Sequence, residues 1–192
     1  MDRLAELQQF IADFAKVLRV PQLADTGRPE NDVEHSYGLA ITCWFLHDKI
    51  APELDMLKIF KYALSHDIVE IYAGDTFAFD TDKAFVASKE SRERDAVGTL
   101  RETLPDFSEA IDYTEGYMDK INEEARFVKA VDKILPLIMI ELKEGQEYWD
   151  RYEITLADLR ENKKPILISD QVAPYYDLAF EWLELRGNMP IK

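Results

Sequence analysis

Cysteine is nearly missing from this sequence: Cys43 is the one thiol in 192 residues. A lone cysteine makes no internal disulfide, so the chain reads as a protein of a reducing compartment, most simply the cytoplasm. Histidine is almost as scarce. His35, His47 and His66 are the whole set, which excludes any centre built on four or more imidazoles. Seven glycines and eight prolines are too few for a disordered or collagen-like chain. No apolar run approaches the ~18 residues that a membrane-spanning helix needs. Residues 1–9 carry Asp2 and Glu6 where a secretion signal would carry cations. Positive charge is also short, with 23 Lys and Arg against 38 Asp and Glu and a net of −15. Polyanions bind proteins that replace their counterions with Lys and Arg. Long nucleic acids and anionic membranes are therefore poor partners. A small phosphate compound stays compatible, because a few placed arginines or a metal reverse the sign locally.

What is present is helical periodicity over a 47% hydrophobic chain of one-domain length. The pattern predicts a first helix over 2–18, a loop over 19–30, and a capping box of Asn31 and Glu34 opening a helix to about 48. A third helix is expected from 52–53 through His66 to about 73, closed by Gly74. After a turn at 75–81, helices are expected over 82–104, 106–119, 123–143, 155–162 and 173–186. Residues 165–168 are the one short run that favours a strand. The expectation is an all-α, single-domain protein over 1–192, with a motif-bearing core over 10–143 and a helical extension over 144–192.

The chemistry shows as polar residues on apolar helix faces. His35 heads a stripe with Leu39, Cys43 and Leu46, Asp67 falls inside Ala63, Leu64, Ile68 and Ile71, and Asp132 falls inside Val128, Val131 and Leu135. A buried lone carboxylate costs several kcal/mol unless it is paired or neutralised. Each residue alone has an ordinary explanation: a hydrogen-bonded core histidine, or an aspartate paired with Lys61, Lys129 or Lys133. Three helices each offering one such group point instead to a shared divalent cation, with His66 beside Asp67 as the fourth donor. Glu70, four residues after His66, shares that face and suits proton transfer; a surface salt bridge is the plain alternative. Asp75, directly after Gly74, is either at the mouth of the same site or a turn former. Pro136 crowds the carbonyl of Asp132 and either aims that residue or divides two helices. His47 lies twelve residues beyond His35 and cannot share the site.

The segments ENDVEHSYGLA, KYALSHDIVEIYAGD and ARFVKAVDKILP resemble the HD-domain metal-dependent phosphohydrolases, whose H…HD…D signature falls on His35, His66, Asp67 and Asp132. The extended HDxxExxxGD pattern, carried by His66, Asp67, Glu70, Gly74 and Asp75, is similar to the branch of bacterial 5′-deoxyribonucleotidases and small HD hydrolases. The resemblance implies an all-helical fold in which those four residues hold one divalent metal (Co, Mn, Zn, Ni or Mg). It implies a catalytic Glu70, an Asp75 that positions the attacking water, and an arginine on the substrate phosphate, Arg19 first and Arg28 second. Val20 stands where the deoxyribonucleotidases have a tryptophan, which bears on substrate identity more than on reaction type. The implied function is metal-dependent hydrolysis of a phosphate monoester, a (deoxy)nucleoside 5′-monophosphate first, in a homodimer. Hydrolysis of another phosphorylated metabolite and a non-catalytic, metal-pinned binding protein are the alternatives.

Overall fold

A computed structural model describes residues 1–22 and 27–187. Helix α1 (Asp2–Phe14) stops four residues earlier than its apolar spacing suggests. Residues 18–22 form strand β1 (Leu18–Gln22), which pairs antiparallel with β2 (Pro29–Asn31), Leu18 opposite Asn31 and Gln22 opposite Pro29. The predicted loop is thus corrected at both ends to a pair of antiparallel strands, and its residues 23–26 lie outside the described residues. Pro21 steers Val20 away from helical backbone, and proline is tolerated on short edge strands. The residues that seemed strand-like, 165–168, lie in the 3-10 turn Lys164–Ile168 instead, with Pro165 at its start.

Helix α2 (Asp32–Ile50) opens on the expected capping box: Asn31 Oδ1 accepts the Glu34 N–H at 3.0 Å, and Glu34 Oε2 accepts the Asn31 N–H at 3.1 Å. The third helix is corrected at its start and in its middle, and ends at 73 as expected. Helix α3 (Met56–Ser65) starts at an Asp55 cap, and the chain then breaks at 66–69 before the single turn α4 (Glu70–Ala73). Tight three-residue bonds, Ile68 N–H to the Ser65 carbonyl and Glu70 N–H to the Asp67 carbonyl, replace the α-helical ladder there. Gly74 follows at φ 73°, a backbone region that suits glycine.

The expected helix 82–104 is two, α5 (Lys83–Ala87) and α6 (Lys89–Thr103). Ser88 Oγ donates to the Phe85 carbonyl at the joint, a side-chain bond that competes with helix propagation. Helix α7 (Ser108–Asp119) leads to α8 (Glu123–Lys143), capped by Asn122 and continuous through Pro136. Helices α9 (Gln146–Arg151), α10 (Leu156–Asn162) and α11 (Pro174–Arg186) complete the described chain. The fold is all-α, as the periodicity implies.

Leu39, Cys43, Ile59, Tyr62, Phe127 and Val131 join α2, α3 and α8 in the central core. A second core, with Leu137, Trp149, Leu159 and Phe180, ties the C-terminal helices to α8. Among the described residues no helix is long and apolar enough to cross a membrane.

Candidate metal centre

The break after α3 brings adjacent residues to one point. On a regular helix His66 and Asp67 would diverge by about 100°. In the 66–69 turn, His66 Nε2 and Asp67 Oδ2 lie 2.9 Å apart. His35, in the first turn of α2, places its Nε2 3.1 Å from Asp132 Oδ1 in mid-α8, and the same oxygen is 3.9 Å from His66 Nε2. The two imidazoles sit 5.4 Å apart, and His35, His66 and Asp132 are all buried. Each of these three offers a ligand atom within 4.8 Å of the others. The four residues singled out from sequence therefore converge.

Outer contacts orient these donors. His66 Nδ1–H donates to the Ala63 carbonyl at 2.9 Å. That bond orients the ring so that Nε2 faces Asp67 and Asp132. Tyr117 donates its O–H to Asp132 Oδ2 at 2.8 Å, and Lys133 pairs with the same oxygen at 3.1 Å. Glu30 Oε2 lies 3.5 Å from His35 Nδ1. Burial alone would raise Asp67 and Asp132. For Asp67 the His66 imidazole and Arg19 overcome that and hold it well below the usual carboxylate range; for Asp132 Lys133, His35 and Lys129 do so. Both aspartates are thus kept ionised, as a cation requires.

Among the described residues, the buried side-chain atoms without a hydrogen-bond partner are Arg19 Nε, Asp32 Oδ2, His35 Nδ1, Ser36 Oγ, His66 Nε2 and Glu70 Oε2. Every one belongs to this site or the residue beside it. Two imidazoles and two ionised carboxylates are a fitting donor set for a borderline divalent ion. The orphaned His66 Nε2 is the atom such an ion would satisfy.

A cavity of about 420 Å³ opens onto the centre. Glu70 lines it from the start of α4, with Oε1 held by Lys89 Nζ at 3.0 Å. Burial and the Asp67 charge push the Glu70 carboxyl well above its ordinary range, against the pull of Lys89. Asp75 lines the same cavity, and Arg92 secures the adjoining chain through Thr76 Oγ1 at 2.6 Å. Arg19, on β1, reaches Asp67 Oδ2 at 3.0 Å and Asp32 Oδ1 at 3.3 Å. Asp32, Asp67 and Glu70 are themselves a close carboxylate group, and burial beside Asp67 raises Asp32 to about 7 despite Arg19. Arg28 is placed elsewhere. It is half-exposed, grips Glu34 with both terminal nitrogens, and does not line the cavity.

Sequence reasoning missed Glu30, Tyr117 and Lys89 altogether, and it treated Lys129 and Lys133 only as possible salt-bridge partners. With Arg19, Arg94 and Lys120, three of these lysines make six cations around the cavity, against six carboxylates, in a chain of net −15. Burial beside Lys133 lowers Lys129 to about 8. No motif marks these positions; a count of lysines near Asp132 was the one available signal.

A solved structure described as a predicted metal-dependent phosphohydrolase from Magnetospirillum magnetotacticum MS-1 is similar to this chain. It has a TM-score of 0.80 and 30% sequence identity, over 97% of this chain and 95% of that one. No curated protein matches the sequence. The HD domain family matches residues 14–173, reaching well beyond the 10–143 core expected from motifs and taking in α9 and α10. With the histidine–aspartate centre assembled as above and the match spanning most of its length, the chain belongs to the HD-domain family.

Proposed function

We propose that this protein is a metal-dependent phosphohydrolase acting on a phosphate monoester, with a (deoxy)nucleoside 5′-monophosphate as the substrate class. The observation that carries the reading is the gathering of unpartnered buried atoms beside a cavity lined by six cations and six carboxylates, with His66 and Glu70 themselves in its lining. His35, His66, Asp67 and Asp132 would hold the ion. A divalent ion there supplies Lewis acidity toward a phosphoryl oxygen and lowers the pKa of water.

The remaining work falls to the chain's own residues. Arg19 and Lys133, both in the cavity lining, neutralise phosphate charge, Arg19 with the planar fork that suits a phosphate edge. Glu70, its carboxyl pushed well above the ordinary range by burial and the Asp67 charge, is suited to deliver a proton to the leaving oxygen. Asp75 orients the attacking water from the rim.

The similar structure from Magnetospirillum magnetotacticum, described as a predicted metal-dependent phosphohydrolase, supports the reaction class. The test is phosphate release from ribo- and deoxyribonucleoside 5′-monophosphates with Co, Mn, Mg, Zn, Ni or no metal. Metal-dependent release is expected, lost in Asp67→Ala. In Glu70→Ala turnover is expected to vanish with metal retained. Silence across the panel with metal confirmed bound would refute the reading.

A further inference from the structure

A second chamber, of about 110 Å³, adjoins the metal centre and shares Arg19, Asp75, Thr76, Asp132 and Lys133 with the main cavity. Part of its lining comes from outside the motif-bearing core. Phe77 and Phe79 close one side; Tyr148, Trp149 and Leu159, from the C-terminal helices, close another. Phe77 packs edge-on against Tyr148 and Tyr152, at ring centroids 6.4 and 4.8 Å apart, so this wall is a connected aromatic cluster.

At the end of α10 the chamber is lined by Asn162 and Lys163. Lys163 is 8% exposed and lines the chamber; among the described residues it makes no hydrogen bond or ion pair, and its ammonium keeps contact with solvent. The nearby charges are mostly of its own sign, from Lys133 and Arg19, with Asp132 opposing. An ammonium without a partner in such a place is costly, and lysines are almost never buried unless paired. It lines the chamber together with Asn162 and the aromatic side chains, next to the cavity where the phosphate would sit.

Resting on the phosphohydrolase reading, we propose that this chamber receives the ring of the leaving group, and that Lys163 and Asn162 select a base bearing a ring carbonyl, a 6-oxopurine or 4-oxopyrimidine. The aromatic walls stack the ring, a sequence-tolerant attraction because every base has a π face. A carbonyl oxygen accepts from the ammonium, whereas an exocyclic amino group at that position presents donors to a donor. A site built to bond one polar group rejects the analogue that leaves it unpaired. The fold therefore assigns base choice to the C-terminal segment, with the phosphate chemistry kept in the core.

The experiment compares wild type, Lys163→Met and Asn162→Leu on inosine against adenosine 5′-monophosphate, uridine against cytidine 5′-monophosphate, and ribose 5-phosphate. Binding of the free nucleosides is measured in parallel by calorimetry. Wild type is expected to favour the oxo member of each pair by ~10–100-fold in kcat/KM, the scale of one charge-assisted hydrogen bond. The same order is expected in nucleoside affinity. In Lys163→Met the ratio should collapse toward one, through loss on the oxo members. A wild-type ratio near one, a ratio that survives Lys163→Met, or a uniform loss that includes ribose 5-phosphate would each overturn the assignment. No phosphate release from any compound would refute the hydrolase reading instead. Nucleoside binding would then still decide whether the chamber reads a carbonyl.

Discussion

Replacing Lys163 by methionine is expected to stabilise the protein. The ordinary lysine value of 10.5 is pushed to about 7 here, first by burial and then by repulsion from Lys133 and Arg19. At 1.36 kcal/mol per pH unit, that difference corresponds to roughly 5 kcal/mol of penalty near neutral pH. Methionine keeps most of the aliphatic stem and removes the charge. Allowing for relaxation of the folded lysine, a gain on the order of 2–4 kcal/mol at pH 7 is the working figure, or a rise in Tm of roughly 5–15 °C for a chain this long.

The pH dependence gives the sharper test. Between about pH 7 and 10.5 the unfolded chain binds more protons at this lysine than the folded one, so wild-type stability rises with pH across that window. Lys129, lowered to about 8, adds to the same rise. In Lys163→Met the part owed to Lys163 disappears, and the two curves converge near pH 10. Urea titrations of both proteins at half-unit steps from pH 6.5 to 10 would measure this. A variant no more stable than wild type at pH 7, or a gain that does not change with pH, would show that the ammonium is not held unpaired.

Three further outcomes follow from the site. Tyr117→Phe removes the O–H donor on Asp132 Oδ2 and should weaken metal affinity ~10–100-fold, as loss of an orienting contact does; competition against a chromophoric chelator reads it, and unchanged affinity would detach Tyr117 from the centre. Lys89 pulls the Glu70 carboxyl down, so Lys89→Met should move the limb of the kcat/KM pH profile set by Glu70 to higher pH. A limb that stays in place would assign it to another group. Inorganic phosphate should bind about 10-fold tighter to the metal-loaded protein than to the chelated one, and metal tighter by the same factor with phosphate present. Calorimetric affinities that are independent of each other would contradict that coupling.

The metal donors were legible because each breaks a strong local rule. A charged residue at a core position of an otherwise apolar stripe is conspicuous, and His35, Asp67 and Asp132 each occupy one. The capping box of α2 was equally plain, since Asn31 and Glu34 make a local contact that needs no tertiary help. The break at 66–69 was hidden because Ala63, Leu64, Ile68 and Ile71 keep helical spacing through it. Periodicity registers which residues are buried, not whether the ladder between them holds. The strand pair β1 and β2 was hidden for the opposite reason, being too short for an alternating pattern to build up. Lys89 and Lys133 look like surface residues in any composition argument. Only the packing of α6 and α8 turns them inward.

Lys163 shows the limit of pattern reading, and also why the site holds together as one device. Stability alone would not retain a largely buried lysine without a partner, nor, among the described residues, six unpartnered buried atoms in and beside one site, when each unsatisfied group costs about 1–3 kcal/mol and native proteins keep few of them. Spread over the molecule, such groups would be scattered defects. Concentrated here, they mark the place where the chain's own atoms are incomplete partners for one another. On the proposed reading, His66 Nε2 would face the metal, Glu70 Oε2 the proton to be moved, Arg19 the phosphate, and Lys163 the leaving group. A metal-binding protein with no substrate would need only the first of these. That the unmet groups continue past the donors, through Glu70 and into a chamber built by α9 and α10, argues for a bound molecule reaching from the metal to the C-terminal helices.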